Sequence, residues 1–183
     1  MTENRDVLSR AAIPPDHVLR YGDHADAIAD VWFAVDPAAS VVMLWHGGFW
    51  RVAFDRTHLR PMANAVRDEG FTVVMPEYRR TGGDGDGGWP GTFDDVARAS
   101  DVLPGMVAAE SGTDSPVMHA GHSAGGHLAV WAARRHLLPA SAPWRRATPA
   151  PIAAVVALAP VLDLAEAFRL DLDDGAVQAL LGG

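Results

Sequence analysis

The chain contains no cysteine and no lysine. The first absence removes disulfides, thiolate metal sites and cysteine nucleophiles together, leaving Ser and Thr as the common side-chain nucleophiles apart from carboxylates. The second excludes Schiff-base chemistry and the lysine of a phosphate loop. All fifteen basic residues are Arg, which reads as a compositional habit of the source genome rather than a functional signal. Positive charge is scarce as well: the formal net charge is -8 at pH 7, with a pI near 5.3. A chain of that sign lacks the field that attracts nucleic acid or an anionic membrane surface, so neither is an expected partner and a small neutral molecule fits better. No run of about 18 apolar residues occurs, and the opening MTENRDVLSRAAIPPDH lacks the apolar segment of a secretion signal, so a cytoplasmic protein is expected.

What is present is one domain's worth of text, 183 residues with 49% hydrophobic and 21% charged, enough to build one apolar core. Residues 1–16 read as an arm and 17–183 as the domain. From residue 17 onward apolar runs alternate with amphipathic stretches, the pattern of an α/β fold with a mostly parallel sheet and helices on both faces. Strands are expected at 17–21 and 27–34, joined as an edge hairpin, then at 40–45, 71–75, 115–120 and 152–158. Helices are expected at 56–69, with Pro61 near its first turn, at 93–109 and at 124–137. Thr92 and Asp95 have capping-box spacing for the second helix, and Pro104-Gly105 predicts a kink or break in it. The glycine-rich segment 81–91 and the Pro/Ala/Arg stretch 139–151 read as surface connections.

The sharpest feature is Gly121-His122-Ser123-Ala124-Gly125, a Gly-x-Ser-x-Gly sequence between an expected strand and an expected helix. A serine on a tight strand-to-helix turn takes a strained backbone, and glycines two residues to either side relieve the collisions. The helix that begins there points free N–H groups and its positive dipole end toward the hydroxyl, with the Ala124 N–H as the first donor to a developing oxyanion. A second motif, His46-Gly47-Gly48-Phe49-Trp50, also follows an expected buried strand. In a parallel sheet both loops leave at the carboxyl edge, where ligands bind, and glycines there let backbone N–H groups approach unshielded.

With these two motifs the chain resembles the α/β-hydrolase superfamily, and within it the branch of kynurenine formamidase and related small esterases. HGGFW is similar to that branch's HGG-aromatic-Trp pattern and GHSAGGHL to its nucleophile elbow, while PEYRR (76–80) and Asp94-Asp95 stand where those enzymes carry similar residues. The resemblance covers about residues 17–170. It implies Ser123 as nucleophile and the N–H groups of Gly48, Phe49 and Ala124 as an oxyanion hole, acting without a cofactor on a small ester or aryl-formamide through an acyl-enzyme. Phe49, standing where hormone-sensitive-lipase-like esterases usually have a third glycine, favours the formamidase-like branch. His46, Gly47, Trp50 and Trp89 are candidates for the substrate pocket, although a buried or loop-anchoring Trp is an equal reading for each indole.

In this fold the nucleophile is followed along the chain by an acid and then a histidine. The histidines after Ser123 are His127 and His136, both on the expected helix beside it; His127 reads as a structural hydrogen-bonder one turn along. Asp163 precedes LAEAF and reads as a helix N-cap rather than the acid. The resemblance places two more strands, the acid and the histidine beyond Gly183, so the fold is expected to lack its last strands. The 183-residue chain alone is then expected to be inactive, since losing the histidine costs on the order of 10⁶ in kcat. The same reading leaves 152–158 as an open sheet edge able to drive self-association. The alternative is a non-catalytic binding or regulatory protein on the same scaffold. No metal site is expected: His119, His122 and His127 straddle a strand, an elbow and a helix, and the Asp84-Gly-Asp86 segment carries Gly88 and Trp89 where a calcium loop needs an oxygen ligand and a glycine.

Overall fold

Five consecutive buried residues, Val41–Trp45, need cover on both faces, and the chain supplies it by making them the middle of a sheet (β3). The computed structural model describes residues 10–83 and 86–182. In it β1 (His17–Arg20) and β2 (Ile28–Trp32) precede β3; α1 (Arg60–Asp68), β4 (Thr72–Pro76), α2 (Gly91–Ser111), β5 (Val117–His122), α3 (Ala124–Arg134), β6 (Ile152–Leu158), α4 (Leu164–Arg169) and α5 (Ala176–Leu181) follow. The strands form one sheet in the order β1-β2-β4-β3-β5-β6. β1 and β2 make the expected antiparallel hairpin and β2 runs antiparallel to β4, while β4, β3, β5 and β6 are mutually parallel.

The period of two along β3 separates two cores. Val41, Met43 and Trp45 face α2 and α3 together with Phe93, Val96, Leu103 and Leu128. Val42 and Leu44 face the other way, onto Ala63 of α1, with Leu59, Met62 and Val66 at its margin. The connection from β3 runs to β4 on one side, and the connection from β5 runs to β6 on the other. The carboxyl ends of β3 and β5 therefore border a switch point, the place in open α/β sheets where ligands bind.

Three expectations are corrected. Helix α2 runs unbroken from Gly91 to Ser111 through Pro104. A mid-helix proline costs about 3 kcal/mol, but Phe93, Val96, Leu103 and Val107 are all buried on this helix, at roughly 1.5–3 kcal/mol each, so packing outweighs the break. Thr92 does not cap α2: Pro90 is the N-cap, and the Thr92 hydroxyl donates to Arg79 O and accepts from Gly88 N. Asp95, its expected capping partner, is taken by Arg79, whose N, Nε and Nη2 all donate to it within 2.9 Å. The stretch 139–151 is not wholly exposed, because Trp144 is buried and its indole donates to Asp94 at 2.8 Å.

The smaller readings agree with the structure. Pro61 lies in the first turn of α1, and Asp163 caps α4 by accepting from Glu166 N. β6 is the sheet edge, with Val155, Val156 and Leu158 exposed. Of the arm, residues 10–16 are described and lie against the sheet: the Trp32 indole donates to the carbonyls of Ile13 and Pro14, and Ile13 N donates to Asn64. Residues 1–9 lie outside the described residues, as do Asp84 and Gly85 of the calcium-loop pattern.

Gly105 sits inside α2 with open space where a Cβ would go. Gly105→Ala is expected to raise stability by about 1 kcal/mol, seen as a rise in Tm of about 2–4 °C. An unchanged or lower Tm would contradict a continuous helix with Gly105 on its solvent face.

Candidate active site

The two sequence motifs meet at the switch point. Register pairs Trp45 with Gly121, so His46 and His122 leave the sheet side by side. The segments touch: a Cβ placed on Gly47 would lie 2.8 Å from the His122 carbonyl oxygen and 3.4 Å from Ser123 Cβ. Ser123 adopts φ 54 and ψ -120, a region that costs a non-glycine residue on the order of 1–3 kcal/mol. The surroundings hold it there, since Ser123 N donates to Leu158 O at 2.9 Å and Ser123 O accepts from His127 N at 3.1 Å. Helix α3 then begins immediately and presses on β3, with Gly125 so close that a Cβ would overlap Trp45 O and stand 2.5 Å from His46 O. Only glycine permits that approach.

The loop after β3 is also bent against its preference. Phe49 and Trp50 both have positive φ, 52 and 59. Backbone bonds to the segment after β4 hold them: Thr81 N donates to Trp50 O at 2.7 Å, and Val52 N donates to Thr81 O at 2.9 Å. Arg51 latches the loop to the chain between α4 and α5, donating to the Asp173 carboxylate at 2.7 Å and to Asp174 O at 3.0 Å. Among the described residues the N–H groups of Gly48, Phe49 and Ala124 donate to no protein acceptor. Ser123 is half-buried, and no described side chain hydrogen-bonds its hydroxyl.

Two pocket candidates are corrected. His46 is fully buried, with Nε2 2.7 Å from Glu77 Oε1 and Nδ1 2.9 Å from Gly47 O, and its ring stacks on Tyr78. Trp50 is fully buried too, edge-on to His127 with ring centres 5.5 Å apart. His46 turns under the loop into a polar set with Glu77 and Tyr78, and Trp50 packs into the apolar core. Trp89 is half exposed and stacks edge-on against Trp144 at 4.7 Å, in a cluster with Phe93 and Trp131. His127, expected as a structural hydrogen-bonder, is instead buried and packs as an aromatic ring, and its Nδ1 has no partner among the described residues. His119, His122 and His127 diverge: His119 accepts from the Trp45 indole at 3.3 Å, His122 is exposed, and His127 faces Trp50.

Sequence reasoning assigned no role to Glu77 and Tyr78, which are buried and touch His46 from the end of β4. Their signal was position, immediately after a buried strand at the carboxyl edge. Burial raises the Glu77 pKa, but His46, Arg80 and the Arg56 amide outweigh it and pull the carboxyl down to about 2. Burial lowers His127 to about 4, and burial with Arg135 does the same to His119.

These shifts carry a sign. A histidine depressed from 6.5 to about 4 in the folded state takes up its proton first on unfolding, so the stability it contributes is complete above 6.5 and lost as pH falls toward 4. Each of the two is worth on the order of 3 kcal/mol. Glu77 adds a second loss from its usual 4.5 down to about 2. Urea midpoints are expected to fall steadily from pH 7 to pH 4, with a shallower slope in His127→Phe. A flat profile over that window would contradict the buried neutral rings.

A family model described as the alpha/beta hydrolase fold matches residues 42–178. No curated protein matches the chain in sequence. Among solved structures the chain is similar to a candidate thioesterase from Silicibacter sp. TM1040, at 27% identity over 93% of this chain and 58% of that one, with a TM-score of 0.64. It is similar in fold to esterase B from Lactobacillus rhamnosis (21% identity, 94% and 59% covered, TM-score 0.70) and to esterase 2 of Thermogutta terrifontis (24%, 88% and 64%, TM-score 0.63). The chain spans between 58% and 64% of the length of these three relatives. With the matched region running from within β3 through the elbow to α5, the chain belongs to the alpha/beta hydrolase fold family.

Proposed function

We propose that the protein is a serine hydrolase that cleaves a small carboxylic ester or aryl-formamide through an acyl-enzyme on Ser123. The observation that carries this reading is the meeting of the loops after β3 and β5. There a serine held at positive φ lies beside Gly47, and the N–H groups of Gly48, Phe49 and Ala124, which donate to no protein acceptor among the described residues, lie on the two segments that meet. In the proposed chemistry the Ser123 hydroxyl adds to the carbonyl carbon, the oxygen takes negative charge beside those amides, the alcohol or amine leaves, and water releases the acid. One such donor is worth about 3 kcal/mol in the transition state, which gives a physical reason for a loop to keep two αL residues.

The esterases of similar fold agree with ester cleavage, and the similar Silicibacter protein adds thioesters as a class to test. The formamidase-like preference rests on the HGGFW and GHSAGGHL resemblance. A cytoplasmic location belongs to this reading on the sequence alone; among the described residues no helix is long and apolar enough to cross a membrane.

The test uses the full-length protein and a fluorophosphonate probe, with peptide mass spectrometry to locate the adduct. Labelling at Ser123, abolished in Ser123→Ala together with about 10⁵-fold or more of esterase kcat, is the expected result. Rates on N-formylkynurenine, short p-nitrophenyl esters and an acyl thioester then rank the substrate classes. An intact, folded protein that leaves Ser123 unlabelled would instead favour a binding role for the site.

A further inference from the structure

Strand β4 ends at Pro76, and the next two residues reach sideways under the loop after β3. Glu77 and Tyr78 are 1% and 0% exposed. Glu77 Oε1 lies 2.7 Å from His46 Nε2, and His46 Nδ1 lies 2.9 Å from the carbonyl oxygen of Gly47. Both ring nitrogens thus face acceptors, a carbonyl and a carboxylate, and the ring is held between them. The remaining capacity of the carboxylate is filled by Arg56 N at 2.9 Å and Arg80 Nε at 3.2 Å. Tyr78 stacks on the His46 ring at 4.3 Å and donates its hydroxyl to His46 O at 2.9 Å.

Two successive carbonyls, of His46 and Gly47, are thus tied inward to side chains. In a trans peptide the N–H points opposite to the C=O of the same unit. Fixing those two oxygens inward therefore turns the Gly47 and Gly48 N–H groups outward, and neither donates to a protein acceptor among the described residues. Gly47 itself lies against the serine turn, since a Cβ built on it would stand 2.8 Å from His122 O and 3.4 Å from Ser123 Cβ.

We propose that Glu77 and Tyr78 are positioning residues: acting through the His46 ring and carbonyl, they lock the orientation of the two glycine peptides and aim the Gly48 N–H at the reacting carbonyl oxygen. This rests on the serine-hydrolase reading above. It assigns to the PEYRR segment a task in transition-state binding, because an amide turned away from the developing oxyanion contributes nothing to its stabilisation. Substrate binding before reaction depends on the acyl and leaving groups and is left nearly unchanged.

The experiment compares wild type, Ser123→Ala, Glu77→Gln and Tyr78→Phe in the full-length protein. It reads kcat and KM on the best ester of the panel, inhibition by a phenylboronic acid, which binds serine as a tetrahedral adduct, and Tm. Removal of one oxyanion donor costs about 10²–10³ in kcat. A misaimed donor is expected to cost about 10- to 100-fold, with KM within about twofold and boronate affinity falling in step with kcat. Tyr78→Phe removes one oxygen from a ring that keeps its stack, so it decides the matter alone if Glu77→Gln does not fold. Folded variants with kcat and boronate affinity at wild-type levels, or with a loss confined to KM, overturn the inference while an active wild type and a dead Ser123→Ala leave the serine reading standing. A wild type inert toward every ester, or a Ser123→Ala that keeps the rate, overturns both.

Discussion

Everything at the carboxyl edge depends on how closely helix α3 is allowed to approach strand β3. Gly125 brings the first turn of the helix onto the carbonyl oxygens of Trp45 and His46, at a distance that no side chain permits. That contact fixes the helix start, and the helix start fixes the left-handed turn at Ser123. The parallel register of Trp45 with Gly121 then brings the following loop alongside. A slip of one residue in this register would turn Trp45 out of the core and carry the glycines of the loop away from the serine. The meeting of the two loops is thus a by-product of core packing between two neighbouring strands, which is a stiffer foundation than a loop of its own.

Around that contact the molecule places charge where apolar packing is weakest. Asp30, fully buried on β2, is paired with Arg56 and Arg60, and Arg56 continues to Glu77, which holds His46. Removing one member of such a set leaves a buried charge without its partner, which costs several kcal/mol, whereas the intact set contributes little net stability. Its value is orientation: an ion pair with two defined hydrogen bonds admits one loop conformation where an apolar contact would admit several. On the other side of the loop, Arg51 and the Asp173-Asp174 backbone make the second tether. Phe49 and Trp50, the two residues between these anchors, are the ones with unfavourable φ.

The positions of the strands along the chain were legible because each strand is short, apolar and bounded by glycine, proline or a charged turn, whereas their order in the sheet was not. The elbow was legible because its glycines answer a steric demand that exists before any tertiary context. Boundaries moved where tertiary partners extended an element: β5 continues through His122 since Gly121 and His122 pair with Ala157 and Leu158. Thr92 and Asp95 show how a local signal is overridden, for Arg79 offers Asp95 a charged partner that a capping amide cannot match. Pro104 shows the same in the other direction, with buried neighbours outweighing a local helix breaker. Trp144 was missed because a single aromatic in a Pro/Ala/Arg stretch has no periodicity. The role of Glu77 depends on a neighbour 31 residues away in sequence, which no local pattern reveals.

The central claim is that one site presents an alcohol and the backbone donors of two separate loops to the same atom. It is tested most directly by a crystal structure of the full-length protein after reaction with a phosphonate or boronate. The account predicts a covalent bond to Ser123 Oγ, with one adduct oxygen about 2.7–3.1 Å from the N–H groups of Gly48 or Phe49 and of Ala124. An adduct oxygen facing solvent, beyond about 3.5 Å from all three amides, or an adduct on another residue, would contradict it.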